Sequence, residues 1–311
     1  MREFVVLLSV DWEPDHGRWR FPGGAMDYGG ILRGTPVFTE LLDRLEVPCT
    51  WFVETSYDPT RDTPRLFPGV IANLASRKQD EVGLHIHWRR DNGARAVYYE
   101  TNDQEWVSGQ VADGVRKLQE LGVRANAFRS GALLRIAALP RILNASGMAV
   151  DSSTLWGECN RVDSARTGFM RKGLVQRLKT IQRRAFQRFV TPYLTEENDV
   201  ERRGTFPVVE FPIAYSIYEA HKAKQKWLYR FIVERARRTS EPIFLAIFFH
   251  IDEILLAEAG PDFKSEPDPS MLRHFAEHLT WLKSQGATFM VFSEARKRWL
   301  REVPALCGLK S

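Results

Sequence analysis

Short apolar runs alternate with amphipathic stretches along this chain, which predicts an α/β fold: a distorted (β/α) barrel of seven or eight parallel strands. Three observations carry the prediction. The strand-like runs are almost continuous in Val, Ile, Leu and Phe, the composition of strands buried on both faces. Strand and helix patterns succeed one another seven or eight times in 311 residues. Where a dinucleotide-binding sheet carries a glycine fingerprint, the first strand here runs into Asp11-Trp12-Glu13-Pro14-Asp15-His16, which favours a barrel over an open doubly wound sheet. The chain, 1–311, is expected to form one domain with a basic helical insertion at about 157–205.

Phe4 to Val10 reads as the first strand, β-branched and ended by charge and proline. Thr35-Pro36 offers an N-cap followed by proline at the first helical position, with Val37, Leu41, Leu42 and Leu45 at helical spacing behind it. Cys49 to Val53 is a second strand, Arg65 to Ser76 a helix, and Glu81 to His87 a third, alternating strand. Asp103 to Leu121 is a helix ended by Gly122, and Ala125 to Phe128 is strand four. Leu134 to Ala145 is helical with a kink at Pro140 and a stop at Gly147, and Met148 to Val150 is a short strand five. After an interruption come a strand at Val208 to Ile213, a helix at Lys226 to Arg238 and an almost wholly apolar strand at Ile243 to Phe249. A helix from Pro269 to Ser284 stops at Gly286, Ala287 to Phe292 is the last strand, and Ser293 caps a final helix.

Composition excludes several classes. With Trp 9, Tyr 8 and Phe 19, the chain has too much apolar area to remain disordered. No apolar run approaches the roughly 18 residues of a membrane span. The stretch Phe4 to Val10 leads into Asp11 without a small-residue cleavage site, so it does not read as a signal peptide. Cys49, Cys159 and Cys307 are too widely spaced for a disulfide framework, and a reducing, cytoplasmic home is expected.

The polar residues most costly to bury fall at the C-terminal ends of the expected strands: Asp11 and Glu13, His85 and His87, Arg129, Asp151 and His250. In barrels and open parallel sheets this edge is where ligands bind. Residues i and i+2 of a strand share a face, so His85 and His87 project together, as do Asp11 and Glu13. Two imidazoles with a carboxylate opposite suit a divalent metal, Zn²⁺ first, with Co²⁺ or Ni²⁺ as alternatives. One acid of the pair would ligate while the other accepts a proton from water. Each group singly has a blander reading, as a hydrogen-bonded histidine pair, a solvated turn or a salt-bridged arginine. The ordered set has none.

Taken in order, these segments resemble the polysaccharide deacetylases of the NodB-homology type, carbohydrate esterase family 4. Ser9-Val-Asp-Trp-Glu13 stands where that family has Thr-Phe-Asp-Asp-Gly, and Cys49-Thr-Trp-Phe-Val53 is similar to its Ala-Thr-Phe-Phe-Val. Glu81-Val-Gly-Leu-His85 resembles the approach to the histidine motif, Phe128-Arg-Ser-Gly131 the arginine motif, Asp151-Ser-Ser153 the position of a buried acid, and Phe248-Phe-His250 the final histidine. The resemblance implies a metal-dependent deacetylase of an N-acylated sugar. Two departures mark a divergent member. The family's metal histidines sit four apart, whereas position 89 here is Arg; and the adjacent acids have become Asp11-Trp12-Glu13. The resemblance then implies Asp11 as base, Glu13, His85 and His87 as metal ligands, and His250 as general acid. Arg129 would keep Asp11 charged and Asp151 would orient His250, with Asp15 and His16 in reserve for Glu13. A deformylase, a small-molecule amidase and a degenerate glycan-binding barrel are the alternatives on the same fold.

The formal charge of +5 is unevenly placed. Eight Lys or Arg and no acid lie between Arg166 and Arg188, leaving 36 basic against 39 acidic residues elsewhere. Leu174, Leu178, Ile181, Ala185 and Phe189 recur every three or four residues, so an amphipathic basic helix is expected over about 169–190. It reads first as a surface helix with a solvated charged face packed on the barrel; the alternative is contact with anionic material, an acidic or lipid-linked glycan or the inner membrane face. No nucleic-acid module accompanies it, and no nucleic-acid partner is expected. The resemblance, with no signal peptide expected, implies as substrate an intermediate of cell-envelope polysaccharide or lipopolysaccharide O-antigen biosynthesis.

Overall fold

The computed structural model describes residues 4–15, 27–91, 96–98, 103–134, 136–155, 191–221, 227, 229–231, 233–234, 243–256 and 266–302. In chain order the strands begin with β1 (Phe4–Trp12), β2 (Thr50–Glu54), β3 (Glu81–Ile86) and a hairpin, β4 (Arg89–Asp91) and β5 (Ala96–Tyr98). They continue with β6 (Ala127–Ser130), β7 (Val150–Asp151), β8 (Tyr193–Glu196), β9 (Asp199–Arg203) and β10 (Phe206–Glu210). The last are β11 (Ile213–Ser216), β12 (Ile243–His250) and β13 (Ala287–Phe289). The helices used below are α1 (Thr35–Leu45), α2 (Thr63–Leu66), α3 (Pro68–Ser76), α4 (Gln104–Glu120), α5 (Leu139–Ala145), α6 (Pro269–Ser284) and α7 (Phe292–Glu302).

The expected barrel is present. β12, β1, β2, β3, β6 and β7 lie side by side, all parallel. One bent strand completes the ring: β10 pairs with β7, β11 pairs with β12, and only Phe211-Pro212 separates the two. Proline has no N–H to give a ladder, so the strand breaks there and turns the corner. A parallel bridge from Leu155 to Ile213 carries the contact past the bend. β13 lies beside Phe4–Val6 of β1, on the edge that β2 occupies further up at Ser9–Trp12.

Alternation along the strands sorts side chains between two cores. Val6, Leu8, Val10 and Trp12 of β1 face outward into the layer covered by the helices, with Phe38, Leu41 and Leu42 of α1 and Phe275, Leu279 and Leu282 of α6. Val5 and Leu7 face the lumen, where they meet Phe52, Val150, Val209, Phe211 and Phe244. Phe292 and Trp299 of α7 close the lumen from below. Ser9, Asp11 and Glu13 continue the inward series of β1 above this apolar floor. The barrel is thus a packed plug beneath a polar mouth.

The structure corrects several boundaries. The expected helix 65–76 is divided at Phe67 into α2 and α3, because Pro68 begins a new first turn. The expected helix 134–145 starts only at Leu139, so Pro140 lies in its first turn rather than at a kink. Thr35 does not cap α1, since helical backbone already runs from Gly30; its hydroxyl instead accepts the Trp12 indole N–H at 2.8 Å. The last strand is confined to Ala287–Phe289. The far end of the expected helical insertion is antiparallel: β9 pairs with β8, and β8 with β10, across a turn at Glu197-Asn198. The expected basic helix 169–190 lies outside the described residues, as does most of the expected helix 226–238.

Candidate active site

The barrel mouth brings together residues drawn from β1, β3, β6 and β12. Asp11 and His250 are register partners on β1 and β12, and His85 and Arg129 are partners on β3 and β6. β3 ends at Ile86, one residue before His87, yet the rings of His85 and His87 still meet edge to face. Gly131 makes room for this: a Cβ there would lie 2.4 Å from Cγ of His87. Gly83 does the same lower down, where a Cβ would fall 2.8 Å from the Phe52 ring.

Glu13, His85 and His87 form the one group of metal-ligating type among the described residues. All three are buried. Nε2 of His85 and Nε2 of His87 are 3.2 Å apart. Oε2 of Glu13 is 2.6 Å from the His87 nitrogen and 3.7 Å from that of His85. These edges bracket the roughly 3.3 Å between donors that each stand about 2.0–2.1 Å from one tetrahedral ion. The tautomer of His85 agrees, because its Nδ1 lies 2.9 Å from the Arg129 carbonyl oxygen. A carbonyl only accepts, so Nδ1 carries the hydrogen, and in the neutral ring the lone pair is on Nε2, facing the group. Burial, against the pull of Glu13, holds His87 down at about 3, which keeps it in the neutral form that ligation requires. The donor set fits a divalent metal.

Arg129 is fully buried and fixes Asp11. Its Nη1 donates to Oδ1 of Asp11 at 2.6 Å, Nη2 to the hydroxyls of Ser9 and Ser152, and Nε to the Ser152 carbonyl at 3.0 Å. The guanidinium lies over the Phe52 ring, 4.2 Å from its centroid. Burial pushes the Asp11 carboxyl up, but Arg129, His85 and His250 outweigh it, and Asp11 sits below the usual carboxylate range. Asp11 is therefore ionised at neutral pH.

His250, partly open to solvent, faces both acids. Its Nε2 is 3.8 Å from Oδ2 of Asp11 and 3.5 Å from Oε1 of Glu13. On the other side, Nδ1 is 3.6 Å from Glu253, whose carboxylate also accepts the His250 backbone N–H. Burial pulls this imidazole down, but Glu253, Glu13 and Asp11 push it up to about 10, so it holds a proton. An ionised carboxylate and a protonated histidine thus face each other.

Asp151 sits elsewhere. Val150 points into the lumen and Ser152 meets Arg129, so the residue between them projects to the opposite face of β7. There Asp151 accepts from the Ser153 hydroxyl and faces Glu210, its register partner on β10. The expected contact with His250 is replaced by that of Glu253. Of the reserve candidates, Asp15 turns to the Gly30 N–H at 3.0 Å, and His16 lies outside the described residues.

A buried pair beside the triad escaped the sequence reading. Glu54, at the end of β2, is gripped by Arg61 through two bonds, Nε to Oε1 at 2.9 Å and Nη2 to Oε2 at 2.8 Å. The same Nη2 is 3.7 Å from Oε2 of Glu13. The signal for Glu54 was available: it directly follows the second strand and lies two residues beyond the lumen-facing Phe52. Arg61 arrives from a loop and had no such signal.

Comparison with protein-family models finds no match, and comparison with curated proteins finds no match in sequence. Comparison of the folds does. A protein named as a polysaccharide deacetylase from Pseudomonas aeruginosa is similar over 97% of this chain and 92% of its own, with 14% identity and a TM-score of 0.58. An allantoinase is similar over 97% and 91%, with 14% identity and a TM-score of 0.56. A protein named as a polysaccharide deacetylase from Mycobacterium smegmatis is similar over 88% and 78%, with 17% identity and a TM-score of 0.54. The chain has the barrel fold of the polysaccharide deacetylases, as the motif order implied.

Proposed function

We propose that this chain is a metal-dependent hydrolase that removes the acyl group from an N-acylated sugar. The observation that carries the proposal is the placement of an ionised Asp11 and a protonated His250, 3.8 Å apart, beside a buried Glu13–His85–His87 donor set. A divalent ion held by these three residues would supply the Lewis-acid polarisation of the acyl oxygen and lower the pKa of water.

The side chains account for the proton movements. Asp11, fixed by Arg129, takes a proton from the attacking water as its oxygen bonds to the acyl carbon. His250 gives its proton to the amide nitrogen as the C–N bond breaks, releasing the sugar amine and a carboxylic acid. Glu253 holds the His250 ring through Nδ1 and leaves Nε2 to act. Glu13, His85 and His87 supply donors and take no proton from the substrate.

The test is release of acetate from N-acetylated mono- and oligosaccharides by protein loaded with Zn²⁺ or Co²⁺. Asp11→Asn and His250→Ala should each lower kcat about 10²–10⁴-fold while metal is still bound. Full activity in His85→Ala, or in protein stripped by a chelator, would end the metal reading. The likeness in fold to an allantoinase supports a second reading, amide hydrolysis on a small ureido compound. Turnover of such a compound but of no acylated sugar would decide for it.

The proposal extends to an anionic or lipid-linked sugar of envelope biosynthesis, met in the cytoplasm at the inner membrane face by the basic segment 169–190. Among the described residues no helix is long and apolar enough to cross a membrane. Replacing the Lys and Arg of that segment by Glu should abolish sedimentation with vesicles rich in anionic lipid, and an unchanged bound fraction would refute the membrane contact.

A further inference from the structure

The Glu54–Arg61 pair lies within reach of the triad but contributes no donor to it, and it is costly to keep. Both side chains are buried, at 0% and 6% exposure, and burying an ion pair sacrifices the hydration of both ions. Its position is specific. Glu54 is the register partner of His85 on the neighbouring strand. Arg61 stands on the side of Glu13 away from His250, with Nη2 3.7 Å from Oε2, the oxygen that also meets both histidines. The loop that carries Arg61 is tied down at each end. The Thr63 hydroxyl donates to the Glu54 carbonyl at 2.6 Å, Asp62 accepts the Ser56 N–H, and Lys117 pairs with Asp62 at 3.0 Å.

From this arrangement we infer that Arg61 and Glu54 are positioning residues for the metal centre: Arg61 aims the ligating oxygen of Glu13, and Glu54 cancels the Arg61 charge so that a dication is not repelled. The inference rests on the metal reading of the triad. A lone guanidinium at this distance from a ligating carboxylate would orient it and at the same time oppose any cation it binds. A lone carboxylate would draw in a cation but leave Glu13 free to turn. Only the pair orients Glu13 without changing the net charge beside it.

Charge cancellation has a signature that a merely structural pair does not. Glu54→Gln leaves Arg61 uncompensated and should weaken metal binding about 10–100-fold, the usual effect of losing a partner behind a ligand. Adding Arg61→Met removes the stranded charge, so the double variant should recover the part of that loss due to repulsion, the remainder being the aim that Arg61 gave Glu13. If the pair only held the loop in place, the double variant would bind metal as weakly as Glu54→Gln or more weakly.

The experiment is Co²⁺ titration of the full-length wild-type, Glu54→Gln, Arg61→Met and double variant, followed by visible absorption and cross-checked by competition with a chelator. Circular dichroism on each protein reports folding, and Glu54→Asp tests rescue by a charge-conserving change. Weak binding by Glu54→Gln, recovery in the double variant and near wild-type binding by Glu54→Asp support the inference. Equal affinity in all the proteins, or no recovery in the double variant, overturns it and leaves the triad standing. A wild-type protein that binds no Co²⁺ overturns the metal reading and this inference with it.

Discussion

A fully buried arginine is the least expected side chain in this barrel, and it sets the protonation of its neighbour. Arg129 keeps Asp11 ionised against burial, so removing it should raise the Asp11 pKa. The base must be deprotonated to act, which means that the acid limb of the kcat/KM profile moves to higher pH. For Arg129→Met we expect a move of about 1–3 pH units, read from the pH–rate profile of the metal-loaded protein. An unmoved limb would mean that Asp11 is not the base. A second prediction concerns Gly131, where an added methyl collides with the His87 ring. Gly131→Ala should lower Co²⁺ affinity about 10–100-fold with the far-ultraviolet spectrum unchanged. Much of this was legible in the sequence. Asp11, Glu13, His85 and His87 follow from alternation, because i and i+2 on a strand face the same way whatever the fold. Alternation also shows why Asp151 was misplaced: its neighbours Val150 and Ser152 take the lumen positions, and a two-residue strand offers too little pattern to set the phase. Arg61 was invisible because a loop, not a strand, delivers it.

Among the elements, the seam made by β7, β10 and β11 differs from the rest of the ring. It carries a two-residue strand, a proline break and two buried acids, Asp151 and Glu210, facing each other. Burial and the neighbouring Asp151 push the Glu210 carboxyl well above its ordinary range, while the Thr154 N–H and hydroxyl bind its Oε1. The folded state therefore holds this proton more tightly than the unfolded chain. Its stabilisation is full below the unfolded pKa and is lost as pH rises through the folded value. Denaturant midpoints of the wild type should accordingly fall toward alkaline pH, and Glu210→Gln, which cannot titrate, should flatten that decline. A parallel decline in both proteins would place the titrating group elsewhere. The sequence showed strands on both sides of this seam but not the bend between them: Val208 to Ile213 reads as one strand with Glu210 and a proline in it. The bend appears only when β7 and β12 compete for the two ends of the run.

At the scale of the whole molecule, the polar candidate site and the apolar seal lie at opposite ends of one tube. Polar residues fill the mouth, and Phe292 and Trp299 of α7 seal the base against Leu7, Phe52 and Phe211. Trp299→Ala should cost about 3–5 kcal/mol of unfolding free energy while Co²⁺ affinity stays within about twofold of the wild type, measured on the folded protein. A large loss of affinity without loss of stability would contradict this separation. The sequence announced the α/β class through its alternating pattern, yet left barrel and open sheet to be separated by a missing glycine fingerprint. What decides between them physically is the Leu155–Ile213 bridge and the return of β12 to β1, pairings that no local pattern encodes.

That return has a consequence for how the chain is made. In β1 the Ser9 hydroxyl donates to the carbonyl of Ile247, made 238 residues later, and β13 completes the other edge later still. Throughout synthesis, then, Phe4–Trp12 is an apolar strand with an unfilled edge, and loop closure over such a span is slow. Asp11 and Glu13 fall within or just beyond that strand, so two charges of the candidate site should also act during translation as gatekeepers against premature association.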